Sequence, residues 1–230
     1  MPLPPVRRLL VEGAEDLRVI PQLIELAAGL HWGERGQPKL VDIVVAGSES
    51  TSPSDRGGGV ERLLERGYIA TEYKTARLQA LGVMMDADDD PAARWRQLCG
   101  CDLPFAAELP AAPPADGLVL QPASDGPRFG VWMMPDNSTR GMLETFLLAL
   151  RPDDPDQALW QWADEVVIQA QQKGAPFRSA HHDKARVHTF LAWQDPPGRQ
   201  LHEALQQRLL NPKAALAQRF VDWFRRLYQV

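Results

Sequence analysis

Three short apolar runs, VRRLLVEG (residues 6–13), KLVDIVVAG (39–47) and LGVMMDA (81–87), are separated by stretches whose apolar residues recur at helical spacing. This alternation restricts the fold more than any other feature. Strands joined through helices lie parallel, and a parallel sheet needs both faces covered. The first helical stretch, AEDLRVIPQLIELAAGL, places Leu17, Ile20, Leu23, Ile24 and Ala27 on one side and carries Pro21 as an expected kink. VERLLERGYIATEYKTARLQA is helical with a break expected near Gly67, and DPAARWRQLCG begins a helix with Asp90 as its cap and Pro91 in its first turn.

Further along, LVLQPA and RFGVWMMPD read as strands, and STRGMLETFLLALRP as a loop followed by a helix. PDQALWQWADEVVIQAQQKG is a helix with Ala158, Trp162, Val166 and Ala170 on one face, whereas the spacing in DKARVHTFLAWQ fits strand or helix. The last thirty residues form one or two helices around Pro212, and SESTSPSDRGGG (48–59) is a loop by composition. The expectation is an α/β fold with a largely parallel central sheet flanked by helices. Its 230 residues suit a single domain, 1–230, with a helical elaboration over roughly 200–230.

In open sheets of this kind, sites gather outside the carboxyl ends of the strands. Acids fall at or after three such ends: Glu12, the cluster Asp86, Asp88, Asp89 and Asp90, and less directly Asp136 with Glu144. One aspartate suffices to cap a helix, so four in five residues need another cause. A hard divalent cation supplies one by turning repulsion into coordination by oxygen. In an extended D-x-D, Asp86 and Asp88 point to the same side of the chain. Glu12 and Asp16 stand one helical turn apart, with Gly13 allowing a tight turn between them; acids at a helix start are also favoured by its dipole alone.

The motif is not an EF-hand loop, because Pro91 and Gln97 stand where glycine and glutamate are required. A haloacid-dehalogenase motif would want Thr or Val at the position of Asp90 and would open the domain. A sugar-nucleotide transferase D-x-D lacks a supporting nucleotide signature.

VEGAED followed by MMDADDD, with strand and helix between, resembles the Toprim domain of topoisomerases, bacterial primases and OLD (overcoming lysogenization defect) nucleases. The spacing from Glu12 through Asp16 to Pro21 looks most like the OLD-type branch. GVWMMPDNSTRGMLETFLLAL and DKARVHTFLAWQDPPGRQL are similar to stand-alone OLD-like Toprim proteins, so the resemblance runs from Arg7 to about Leu210. It implies a Rossmann-like Toprim fold and a nuclease dependent on Mg2+ or Mn2+ that cleaves phosphodiester bonds. By the resemblance, Glu12 is a metal ligand or general base, and Asp86, Asp88 and Asp16 are metal ligands. Glu144 serves a second metal, and Lys184 stabilises charge on the scissile phosphate. It implies nucleic acid as partner, DNA ahead of RNA, and a protein partner supplying ATPase or targeting function.

Other features narrow these expectations. The net charge of -5 does not favour nucleic acid or an anionic membrane through bulk electrostatics, but leaves room for a local basic groove or a site inverted by metal ions. Only Cys99 and Cys101 are present, which fits a reducing cytoplasm, and no apolar run is long enough to span a membrane. No G-x-x-x-x-G-K-[ST] occurs, so ATP is not handled by that loop. Tyr68, Tyr73 and Tyr228 lack a setting that marks a transesterifying nucleophile. His181, His182 and His188 suit packing or phosphate contact better than zinc. Trp160, Trp162, Trp193 and Trp223 suit core or interface. The face formed by Phe220, Trp223, Phe224 and Leu227 either packs on the domain or makes a homodimer contact. Two further readings stay open: a metal-dependent phosphohydrolase or nucleotidyltransferase acting on small molecules, and a non-catalytic metal-binding partner module.

Overall fold

The computed structural model describes residues 6–33, 38–47, 59–122, 126–152 and 157–230. The Ser- and Gly-rich segment 48–59 therefore lies, but for Gly59, outside the described residues. Five strands form one sheet: β1 (Val6–Val11), β2 (Asp42–Val45), β3 (Leu78–Asp86), β4 (Leu118–Leu120) and β5 (Arg128–Met134), in the order β2-β1-β3-β5-β4. β1 is parallel to β2 and β3, and β3 to β5, while the edge strand β4 runs antiparallel to β5. This is the mostly parallel, Rossmann-like α/β sheet expected from the alternation of strands and helices.

The apolar runs are continuous because the sheet is covered on both faces, and successive side chains divide between two cores. Leu9, Val11, Ala80, Met84, Trp132 and Met134 enter one core; Leu10, Leu81, Val83, Met85, Phe129 and Val131 enter the other. The first is closed by α1 (Ala14–Ala28), α5 (Leu143–Leu148), α6 (Gln157–Gln172), α7 (His182–Ala192), α8 (Leu201–Gln206) and α9 (Ala215–Tyr228). The second is closed by α2 (Val60–Leu63), α3 (Tyr68–Tyr73) and α4 (Pro91–Cys99) through Leu63, Ile69, Trp95 and Leu98.

Local chemistry sets the element ends. Gly67, at φ 80°, separates α2 from α3 at the expected break. Asp90 caps α4 by accepting the Ala93 N–H at 2.9 Å, with Pro91 in the first turn, also as expected. The helix α1 runs through Pro21 without ending there. The undecided stretch around Lys184 is helical, with Val187, Phe190 and Leu191 buried at helical spacing.

The face assigned to α6 differs from the expected one. Trp160, Ala163 and Val167 are buried, and Trp162 is 49% exposed. Trp160 stacks on Phe190 of α7, with ring centroids 3.6 Å apart and planes 10° apart. That aromatic contact selects its stripe over the neighbouring one, because a stacked pair adds to area burial. Trp193 is likewise exposed rather than core.

The last helix lies in a groove of the sheet. Gly82 and Gly130 are paired on adjacent strands, and a Cβ on Gly82 would lie 2.3 Å from the Tyr228 hydroxyl. A Cβ on Gly130 would lie 2.7 Å from Leu227 Cδ2. The missing side chains thus let α9 approach, and the Tyr228 hydroxyl donates to the Arg8 carbonyl at 2.8 Å. Phe220, Trp223, Phe224 and Leu227 are wholly buried, so this face packs on the domain. No helix among the described residues is long and apolar enough to cross a membrane.

Candidate functional site

The chain leaves β1 to build β2 on one side and returns to build β3 on the other. The β1 and β3 ends therefore flank the crevice where strand order reverses, the usual binding place of such sheets. Glu12 follows β1 directly and Asp86 ends β3. Their link is specific: the Glu12 Oε1 accepts the Asp86 backbone N–H at 2.8 Å. Two helix starts complete the crevice. Asp16 in the first turn of α1 accepts the Gly13 N–H at 3.0 Å, and Asp86 Oδ1 accepts the Leu143 N–H at the start of α5 at 3.0 Å.

The resulting open cleft, about 520 Å³ in volume, is lined by Glu12, Asp16, Asp86, Glu144 and Lys184 among others. Five of the six residues singled out in the sequence therefore meet in one place, although they lie as far apart in the chain as residues 12 and 184. Asp16 and Glu144 are buried, at 8% and 3% exposure, and Glu12 and Asp86 are partly buried. Lys184 reaches in from the first turn of α7, with its Nζ 3.0 Å from Glu144 Oε1. Among the described residues, this is the one ion pair made by these four acids.

So little compensation shows in the protonation behaviour. Desolvation, opposed by the Asp86 N–H and by Arg94, raises the Glu12 carboxyl from its ordinary 4.5 to about 7; Asp16 and Asp88 add repulsion. Desolvation, with repulsion from Glu144 and Glu15, raises Asp16 from 3.8 to about 7. Asp86 stands well above its ordinary value, first through desolvation and then through Glu12, Asp16 and Glu144. Desolvation would pull the Lys184 ammonium down, but the Glu144 carboxylate outweighs it and holds the group above its ordinary value.

Asp88 is placed differently from the extended D-x-D expected. Its φ is 50°, in the left-handed region, and its backbone pairs with Gly141 in both directions, at 2.9 and 2.8 Å. Its carboxylate is ion-paired with Arg94, which also donates through Nε to the Asp86 carbonyl at 3.1 Å. Asp88 thus borders the neighbouring clefts rather than lining the one shared by the other five residues. Gly13 also differs from expectation. It is extended, at φ -139°, and a Cβ there would sit 3.7 Å from Asp16 Oδ2, so the turn does not demand glycine.

Arg94 escaped notice in the sequence, where its only signal is a basic residue in the first turns of the helix that follows the acids. Thr145 and Asp183 also went unnoticed. The Thr145 hydroxyl donates to Asp183 at 2.8 Å and thereby ties the start of α5 to that of α7. Cys99 and Cys101 are free thiols, and Cys101 is buried.

The oxygen donors of the cleft suit a hard divalent cation, and their mutual repulsion is what such an ion would relieve. In the present arrangement no three His, Cys, Asp or Glu side chains among the described residues are grouped closely enough to hold one ion. The acids form an open set of donors rather than a finished cage.

Residues 6–229 match the model of a family described as protein of unknown function (DUF3226), and the chain belongs to that family. No curated protein and no solved structure matches it.

Proposed function

We propose that this member of the DUF3226 family is a Toprim-type, OLD-like nuclease that cleaves phosphodiester bonds of DNA, or else RNA, with Mg2+ or Mn2+. The observation that carries the reading is the meeting of Glu12, Asp16, Asp86 and Glu144 at the strand-order reversal, with Lys184 as the one cation ion-paired with them among the described residues. A protein gains nothing in stability from desolvated carboxylates that repel one another, so the arrangement calls for a cationic ligand.

Glu12, Asp16, Asp86 and Glu144 would hold the ions, and Asp88 would join them if its carboxylate left Arg94. Bound there, the cation would activate a water and neutralise charge on a phosphodiester. Glu12, at about 7, is suited to take a proton near neutral pH. Lys184, half-exposed at the cleft rim, is suited to meet the anionic phosphate. The cleft is open, which suits a polymer better than a small molecule enclosed on all sides. A cytoplasmic protein with a partner supplying ATPase or targeting function completes the reading.

The test is incubation with supercoiled DNA, linear DNA and RNA in Mg2+ or Mn2+, alongside Glu12→Gln and Asp86→Asn. Cleavage by the parent and its loss in both variants supports the reading. No cleavage, or equal cleavage by the variants, overturns it. A second reading, a non-catalytic binding module, draws on the dispersal of the acids. It predicts no cleavage of any of these polymers, whether or not Mn2+ stabilises the fold.

A further inference from the structure

A second cleft of about 410 Å³ lies against the acidic one and includes Asp88, Asp89, Arg140, Thr145, His182 and Asp183 in its lining. The two clefts share a wall. The first turn of α5 sends Glu144 into one and Thr145 into the other, and the first turn of α7 sends in Lys184 and Asp183 in the same way. A polymer held at the acids would have to pass this wall.

Most charges of the second cleft are already matched. Asp88 is paired with Arg94. Asp183 accepts from Thr145 and from Arg186, and Arg186 is also held by Asp164. That leaves Arg140, Asp89 and the His182 imidazole. Arg140 is exposed and makes no ion pair among the described residues.

The loop that carries Arg140 is heavily braced. Asp136 Oδ1 accepts from the Ser138 and Thr139 backbone N–H groups, at 2.9 and 2.7 Å, and from both of their hydroxyls at 3.0 Å. Asn137, 2% exposed and at φ 68°, accepts the Met133 N–H at 2.8 Å and donates to the Ala115 carbonyl at 3.2 Å. On the other side, Gly141 is locked to Asp88 through both of its backbone groups. Arg140 therefore stands between two fixed points, with its guanidinium unpaired among the described residues. A planar guanidinium presents paired donors that match two phosphate oxygens.

Resting on the reading of the acidic cleft as a phosphodiester-cleaving centre, we propose that the second cleft is a phosphate subsite in which Arg140 binds the backbone phosphate next to the one being cut. Its loop fixes the distance between that phosphate and the reacting one, because the Gly141–Asp88 pairing ties the loop to the end of β3.

The test compares the parent with Arg140→Ala and Arg140→Lys in cleavage kinetics at several salt concentrations, with Mn2+-induced stabilisation as the check on folding and ion binding. Arg140→Ala should raise KM about tenfold, with the loss falling on KM rather than kcat. The salt dependence of binding a short fluorescein-labelled DNA, measured by anisotropy, should flatten by about one unit of log-log slope. Arg140→Lys should recover part of both. A parent that cuts DNA while Arg140→Ala keeps its KM and salt slope overturns the subsite and leaves the nuclease reading standing. A loss that falls on kcat alone also overturns it. A parent that neither binds nor cuts DNA or RNA overturns both.

Discussion

The substitution Asp86→Asn separates what the acidic cleft costs from what it does. Raised carboxyl values mean that the folded protein binds protons more tightly than the unfolded chain. Stability is therefore greatest below the unfolded values and falls as pH rises through the window up to the folded ones. The rise of Glu12 from 4.5 to about 7 corresponds to about 3 kcal/mol of stability lost across that window, and that of Asp16 from 3.8 to about 7 to about 4 kcal/mol. The two share the same neighbours, so their joint cost is less than additive. Asparagine at 86 removes a buried carboxyl whose ionisation is opposed by desolvation and by Glu12 and Asp16, while its Oδ1 still accepts the Leu143 N–H. The expected gain, without divalent ions at about pH 8, is about 1–3 kcal/mol. At roughly 2–4 °C per kcal/mol for a chain of this size, thermal melts in EDTA should rise by several degrees. Saturating Mn2+ should close or reverse this gap: at a hundredfold excess over Kd the parent gains about 2.7 kcal/mol, and the variant little. Melts followed by circular dichroism at about pH 5.5 and 8, with EDTA or MnCl2, read all of this. If Asp86→Asn melts below the parent in EDTA at the higher pH and keeps the same Mn2+ shift, the reasoning fails.

Other substitutions test separate links. Lys184→Met should lower kcat by about a hundredfold while the Mn2+-induced rise in Tm persists, because the ammonium sits at the rim and touches only Glu144 among the acids; single-turnover cleavage with parallel melts checks it. Arg94→Ala frees Asp88 and removes the one cation that lowers Glu12 from that side, so the proton affinity of Glu12 should rise and the pH dependence of stability should shift upward, read by melts across pH. Gly82→Ala drives a methyl group against Tyr228 and Leu227 and should destabilise by about 1–3 kcal/mol in urea unfolding.

The parts of the site legible in sequence were those written within a few residues. Glu12 with Asp16, and Asp86 within its acidic run, announce themselves because excess charge beside a buried strand has few explanations. Glu144 stood out only indirectly, as an acid some way past a strand end, and Lys184, a single residue in an ordinary helix, only through the resemblance. The orientation of Asp88 was not legible, because it depends on a left-handed backbone and on pairing with Gly141, more than fifty positions away in the chain. Arg94 and Arg140 were invisible for the same reason, since an arginine acquires meaning from what the fold puts beside it. The sheet itself was readable from its apolar runs. The buried stripe of α6 was not, because two adjacent stripes carry apolar residues and only the Trp160–Phe190 stack distinguishes them.

The glycine groove under α9 bears on how this chain reaches its folded state. The Tyr228 hydroxyl and the Arg8 carbonyl are separated by 220 residues of chain, and Gly82 and Gly130 have no side chains to cover the sheet themselves. Until the last helix arrives, the centre of the sheet presents an apolar trough with nothing over it. Closing so long a loop is entropically costly and rewards the chain only at the end, so folding should be slow and its late intermediate prone to self-association. A peptide spanning α9, added in trans during refolding, would compete for that trough and should lower the yield of folded protein.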